Sequence, residues 1–162
     1  MKTFARSISI VILKSAHVAR YVVSLLIRQR DMLRGVRIIC HSDSKILCVR
    51  HWYAPFVWTL PGGGIQRNES GAVAAIRELR EETGVLVKEM DGIIETIKGN
   101  LGAGDTTTFF YVATIEGPLS KKWNFEILES KWINEHELQK YMIPFHFKVV
   151  QKYLESIRTQ GK

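Results

Sequence analysis

Cysteine is nearly absent: Cys40 and Cys48 are the only two in 162 residues, too few for a disulfide scaffold or a four-thiolate zinc site. A reduced cytoplasm is the setting expected for them. Proline is scarce as well, at four, and the chain has no internal repeat and no low-complexity linker, which argues against a disordered protein. Long apolar runs are also missing. A membrane span needs roughly 20 nearly uninterrupted apolar residues, whereas Ile8–Leu13 is cut off by Lys14, His17 and Arg20. Its basic lead-in, Lys2 and Arg6, resembles a secretory start, but no small-residue cleavage pattern follows. What is there is ordinary: 46% apolar and 24% charged residues with a mean hydropathy of −0.04. Such a chain builds one core-bearing domain with a short appendage.

Acid is missing from one region in particular. Residues 1–50 hold ten Lys and Arg against Asp31 and Asp43, while residues 51–162 hold thirteen against fourteen Asp and Glu. The net charge of +7 therefore belongs to the N-terminal third and is no whole-protein nucleic-acid signature; DNA is not an expected partner. Val18, Val22, Leu25 and Leu26 share a helical face while Arg20, Arg28 and Arg30 fall elsewhere, so residues 1–34 read as a basic amphipathic helical segment. Docking on the domain is its plain reading; peripheral contact with an anionic membrane is the alternative.

From Gly35 the rhythm changes, and residues 35–162 read as the main domain. Val36–His41 and Ile46–Arg50 are β-rich runs around a His-Ser-Asp-Ser-Lys turn. Phe56–Leu60 reads as another extended run, stopped by Pro61-Gly62-Gly63-Gly64. Ser70–Thr83 has helical periodicity, with Ala72, Ala75, Ile76 and Leu79 as its apolar stripe and Gly84 as its stop. Strands are predicted at Val85–Met90, Ile93–Lys98, Thr106–Ile115 and Ile127–Ile133, and helices at Glu135–Tyr141 and Phe145–Arg158. The fold class is α+β.

The chemistry concentrates in the first of these helices. Glu78, Glu81 and Glu82 are spaced i, i+3 and i+4, so three carboxylates are predicted on one face. Like charges at that spacing repel by a few tenths of a kcal/mol per pair. Interleaved Arg77 and Arg80 can relieve the repulsion, as on any solvated Glu/Arg-rich helix, and so can a hard divalent cation. The preceding glycines favour the cation: a backbone without Cβ approaches a ligand closely, and an all-oxygen donor set suits magnesium shared with substrate phosphates. No Gly-Lys-Ser/Thr follows, so the loop is not a P-loop.

Gly63, five residues, Glu69, seven residues, Arg77-Glu78-Leu79, Arg80, Glu81-Glu82, Thr83, Gly84-Val85 resembles the Nudix box at every one of its fixed positions. Trp58-Thr59-Leu60-Pro61-Gly62 resembles the usual lead-in, and the likeness covers roughly residues 35–140. The resemblance implies a mixed sheet sandwiched between helices (an α/β/α sandwich), with the box as a loop–helix–loop. It implies Mg²⁺- or Mn²⁺-assisted hydrolysis of a nucleoside diphosphate linked to another moiety. Glu78, Glu81 and Glu82 would ligate metal, Gly62 would add its carbonyl, Arg77 would orient the glutamates and Glu69 would brace loop and helix. Glu126, with Glu129 as second choice, matches the further carboxylate that often completes such sites, and either Glu78 or Glu126 would serve as the base.

Specificity lies outside the box. Arg50, His51, Tyr53, Trp58 and Gly63 are candidates for substrate contact, with Trp52 beside them; the competing reading makes them packed or surface residues of a sheet. The proline and tyrosine that mark ADP-ribose and dinucleoside polyphosphate hydrolases of this family are missing from Lys98–Thr108, and Gly64 stands where mutator-type members often carry lysine. A pyrophosphohydrolase acting on RNA 5′ ends is a narrower alternative, supported only by the basic N-terminal third, so RNA is disfavoured as a partner. A catalytically silent nucleotide sensor is the non-enzymatic alternative, and it would be expected to have lost some of Glu78, Glu81 and Glu82. The sequence is compatible with a homodimer. Cys40 and Cys48 are expected to be buried thiols, and His146 a packed helix residue.

Overall fold

Alternation along the strands decides the architecture. The computed structural model describes residues 34–100, 105–120 and 126–160. Its strands are β1 (Arg34–Ile39), β2 (His41–Ser42), β3 (Lys45–His51), β4 (Leu86–Asn100), β5 (Asp105–Glu116) and β6 (Ile127–Asn134). Its helices are α1 (Gly71–Thr83), α2 (Leu138–Tyr141) and α3 (Pro144–Gln160), with a 3₁₀ turn at Glu135–Glu137 leading into α2. The basic N-terminal segment lies outside the described residues except for Arg34, which opens β1. Most of the loop expected at Gly99–Asp105 also lies outside them.

The strands form two three-stranded sheets, β1-β5-β4 and β2-β3-β6. The first is mixed, with β1 parallel to β5 and β4 antiparallel to it. In the second, every pairing is antiparallel. Successive side chains point to opposite faces, and both faces are covered. Val36, Ile38, Cys40, Leu47, Tyr111 and Ala113 pack with Ala74, Ala75 and Leu79 of α1. Ile39, Ile46, Cys48, Phe110 and Val112 pack with Val149, Val150 and Leu154 of α3. The strand layer is thus sandwiched between helices, and the α+β class holds, with two sheets in the place of one. Both cysteines are free and buried; burial pushes the Cys40 thiol up to about 12 and Cys48 higher still.

Three local expectations change. Val85–Met90 and Ile93–Lys98 are one strand, β4, whose pairing with β5 slips near Glu89, Ile93 and Glu95; Gly92, at φ 42°, bends the chain without ending it. Phe56–Leu60 forms no strand. It makes single bridges, Thr59 to Val49 and Trp58 to Met142, because the chain turns at residues 52–56 and then runs between β3 and the end of α2. The buried stripe of α1 is Ala74, Ala75 and Leu79, while Ile76 is 42% exposed. The helix is rotated relative to the expectation, and this rotation aims its glutamates. Among the described residues, no helix is long and apolar enough to cross a membrane.

Candidate active site

Helix α1 is delimited locally. The Ser70 hydroxyl accepts from the Val73 N–H at 3.3 Å, a standard N-cap. Gly84, left-handed at φ 75°, donates to the Arg80 carbonyl and ends the helix. Between these caps the apolar stripe is pressed on the sheet, which turns Glu78 and Glu82 toward the Pro61–Gly64 bend.

The bend is clamped from three sides. Toward β1, Val36 and Ile38 donate to the Gly63 and Pro61 carbonyls, each at 2.9 Å. Toward α3, the buried His146 accepts from the Leu60 N–H through Nδ1 at 3.0 Å. Toward α1, the Gly62 N–H donates to Glu82 Oε2 at 2.8 Å. Glycine is required at Gly62, and at Gly63 a side chain would displace Glu78. At φ 134°, a Cβ on Gly62 would meet the Val36 carbonyl oxygen at 2.2 Å, and one on Gly63 would meet Glu78 Oε1 at 2.4 Å. At Gly63 the absent side chain is the space that the Glu78 carboxylate uses.

Arg77 braces the arrangement. Its Nε and Nη2 grip both oxygens of Glu69, at 2.8 and 3.0 Å. Nη2 also donates to the Gly64 carbonyl at 3.0 Å, and Nη1 to Glu78 Oε1 at 2.9 Å. Glu69 in turn accepts from the Gln66 N–H, and its hydrogen bonds to Arg77 hold its carboxyl below the ordinary range. A planar guanidinium is suited to this, since its donors form a fixed fork. Arg77 thus touches Glu69, Glu78 and the loop carbonyl together.

The three box glutamates separate into a pair and an outlier. Glu82 is buried, and desolvation pushes its carboxyl up to about 8, the negative charges of Glu78 and Glu126 adding to the rise. Glu78 is raised by the same desolvation. Glu81 instead turns outward, its side chain 53% exposed and held by Arg77 Nη1 at 3.2 Å. Glu126 is exposed, its charge reaching Glu82 and its carbonyl accepting from the Trp52 N–H at 3.2 Å. Among the described residues, no group of three or more His, Cys, Asp or Glu side chains closes on one point that could hold a metal ion. The donor set nevertheless fits a hard cation: two desolvated carboxylates within reach of each other's charge, beside a backbone carbonyl.

Sequence reasoning missed Arg37. Its Nη1 donates to the Gly62 carbonyl, and its charge favours the ionised forms of both Glu82 and Glu78. The signal was a single charge inside the otherwise buried run Val36–Cys40.

The substrate candidates divide as well. His51 is buried and stands beside the carboxylates, its Nε2 3.8 Å from Glu82 Oε1, while Tyr53 lies against the His51 ring at 5.0 Å. Gly63 lines the same place. Trp58 and Arg50 do not present themselves to a ligand: Trp58 belongs to the core, and the Arg50 guanidinium lies over its ring at 5.1 Å. Arg50 also pairs with Glu129 at 2.5 Å and donates to the Pro55 carbonyl. Beside Tyr53, Trp52 is the aromatic left open, at 62% exposure.

A glycine bend clamped against a helix that carries paired, buried carboxylates, inside an α/β/α sandwich, suits a hydrolase acting on phosphoric anhydrides. The NUDIX domain family profile matches residues 32–153, and the chain belongs to that family, whose members generally use divalent metal cations. Among curated relatives, an ADP-ribose pyrophosphatase from Methanocaldococcus jannaschii is 27% identical over 143 residues, 80% of this chain and 82% of the relative. An RNA pyrophosphohydrolase from Pelagibacter ubique is 29% identical over 138 residues, 75% of this chain and 87% of the relative. Nudix hydrolase 25 from Arabidopsis thaliana reaches 41% identity over 56 residues, 35% of this chain and only 31% of the relative's length. Among solved structures, a NUDIX family hydrolase from Clostridium perfringens superposes with a TM-score of 0.65 at 21% identity, covering 78% of this chain and 98% of that one. That likeness carries the fold.

Proposed function

We propose that the chain is a pyrophosphohydrolase cleaving the diphosphate linkage of a nucleoside diphosphate joined to another moiety, with Mg²⁺ or Mn²⁺ as its cofactor. One observation carries this reading: Glu78 and Glu82 are desolvated side by side against Gly62 and Gly63, an arrangement unfavourable without a cation. Glu78, Glu82 and the Gly62 carbonyl would hold the ion, and the charge of Glu126 reaches Glu82. When bound, the cation withdraws charge from the diphosphate and from the attacking water.

The chain's own residues do the rest. Arg77 fixes the rotamer of Glu78 while leaving its Oε2 free of that bond. A carboxylate beside the attacking water can take its proton; Glu78 does so in this reading, with Glu126 as the alternative base. The bare backbone of Gly62–Gly63 lets phosphate oxygens come close. His51 and Tyr53 line the approach, and Trp52 offers an exposed face on which a nucleobase can stack, a contact worth about 1–3 kcal/mol. Glu81 stays a positioning residue through Arg77.

Two relatives that align over most of their length are named for different substrates, and the basic N-terminal third favours an RNA 5′ end as the narrower second reading. A panel of nucleoside di- and triphosphates, nucleotide sugars and 5′-triphosphate or capped RNA, scored for released phosphate with Mg²⁺, tests both. Turnover of small nucleotides lost in Glu82→Gln is the expected result. Turnover of RNA alone would favour the second reading. Binding without turnover of anything in the panel would reduce the chain to a sensor.

A further inference from the structure

The proposed metal site already contains a positive charge. Arg37 Nη1 donates to the Gly62 carbonyl, while the N–H of the same glycine binds Glu82 Oε2 at 2.8 Å. One residue therefore joins guanidinium and carboxylate through its two backbone polar groups. The approach is close: a Cβ on Gly62 would lie 3.0 Å from the Arg37 Cα. Strand β1 thus delivers the side chain from directly beside the bend. The guanidinium engages the carbonyl, and its charge favours the ionised forms of the carboxylate pair that the reading above assigns to a divalent ion.

We propose that Arg37 is a resident counter-cation that competes with the divalent ion and sets its affinity. Without metal, its charge offsets the buried Glu78–Glu82 pair. For an ion to take the Gly62 carbonyl, the guanidinium must let go, and its positive charge opposes the ion's arrival. At the effective dielectric of a partly buried site, a unit charge and a divalent ion several ångströms apart repel strongly enough to change affinity by about tenfold or more. Arg77 also touches the pair, at Glu78 Oε1, but it makes no contact with Gly62, and Glu69 and the Gly64 carbonyl hold its other nitrogens.

The inference rests on the metal reading of the site, and one titration separates the two. Mn²⁺ binding to the full chain is measured by calorimetry without nucleotide, for the wild type, Arg37→Gln and Arg37→Lys. Removing the charge in Arg37→Gln is expected to tighten binding about tenfold or more, and Arg37→Lys to stay within about threefold of the wild type. Equal or weaker binding by Arg37→Gln, beside a wild type that binds, overturns the competition and leaves the metal reading standing. No Mn²⁺ uptake by any of the three, with or without ADP, overturns both. A measurement on the wild type covers the case in which Arg37→Gln fails to fold: saturating Mg²⁺ is expected to shift the Arg37 Nε–H resonance, and an unmoved resonance in a protein that binds Mg²⁺ contradicts the displacement.

Discussion

Replacing Glu82 by Gln should make the metal-free protein more stable while destroying its activity. In the fold, desolvation raises this carboxyl from its ordinary value of 4.5 to about 8. The sign follows from linkage: the stability associated with the protonated group is whole below 4.5 and is lost as pH rises through about 8. Between those limits the folded chain keeps a proton that the unfolded chain has given up. The penalty grows by about 1.4 kcal/mol per pH unit and reaches about 3 kcal/mol at pH 7. Gln carries no charge and retains an oxygen that can accept from the Gly62 N–H, so the penalty disappears and the hydrogen bond survives. For a domain of this size about 3 kcal/mol corresponds to about 6–12 °C in melting temperature. The assay is thermal unfolding in EDTA from pH 5 to pH 8. The wild type should lose stability across that range, and Glu82→Gln should follow it at pH 5 and pull ahead by pH 7. Equal melting curves at every pH, or a variant that melts lower at pH 7, would refute the burial argument.

Other expectations follow from single contacts. Arg77→Lys loses the fork that serves Glu69, Glu78 and the Gly64 carbonyl together; kcat should fall by about two orders of magnitude and stability by about 1–3 kcal/mol, read by steady-state kinetics and urea melts. Gly62→Ala forces a Cβ into the Val36 carbonyl at a backbone conformation that L residues avoid, so it should cost about 3 kcal/mol or more and abolish turnover. His146→Leu orphans the buried Leu60 N–H and should lower stability by about 1–3 kcal/mol, whereas His146→Asn, with an acceptor near the Nδ1 position, should recover part of it.

What could be read from the sequence was whatever is fixed by local chemistry. Ser70, Gly84 and the stripe between them bound α1 by capping and periodicity alone, and the glycine bend before it was visible because close approach admits no other residue. The pairing of Glu78 with Glu82 was legible as an i, i+4 spacing; the departure of Glu81 was not, because it depends on the rotation of α1 against the sheet. Arg50 and Trp58 looked like ligand contacts because their mutual stacking and the ion pair with Glu129 join residues far apart in the chain. Arg37 was hidden for a related reason. Only the fold brings β1 beside Gly62, and a lone arginine in a strand carries no spacing to recognise it by. The break expected in β4 reflects a glycine that bends a paired strand, since the ladder to β5 continues past it.

The most direct test of the central claim follows oxygen from solvent. In H₂¹⁸O with Mg²⁺ and a nucleotide that the chain turns over, one ¹⁸O should appear on a single phosphate of the product pair. The label should vanish both in EDTA and in a folded Glu82→Gln variant. Label that still appears at the wild-type rate in EDTA or in Glu82→Gln would contradict a site in which buried carboxylates gather a cation to cut a diphosphate with water.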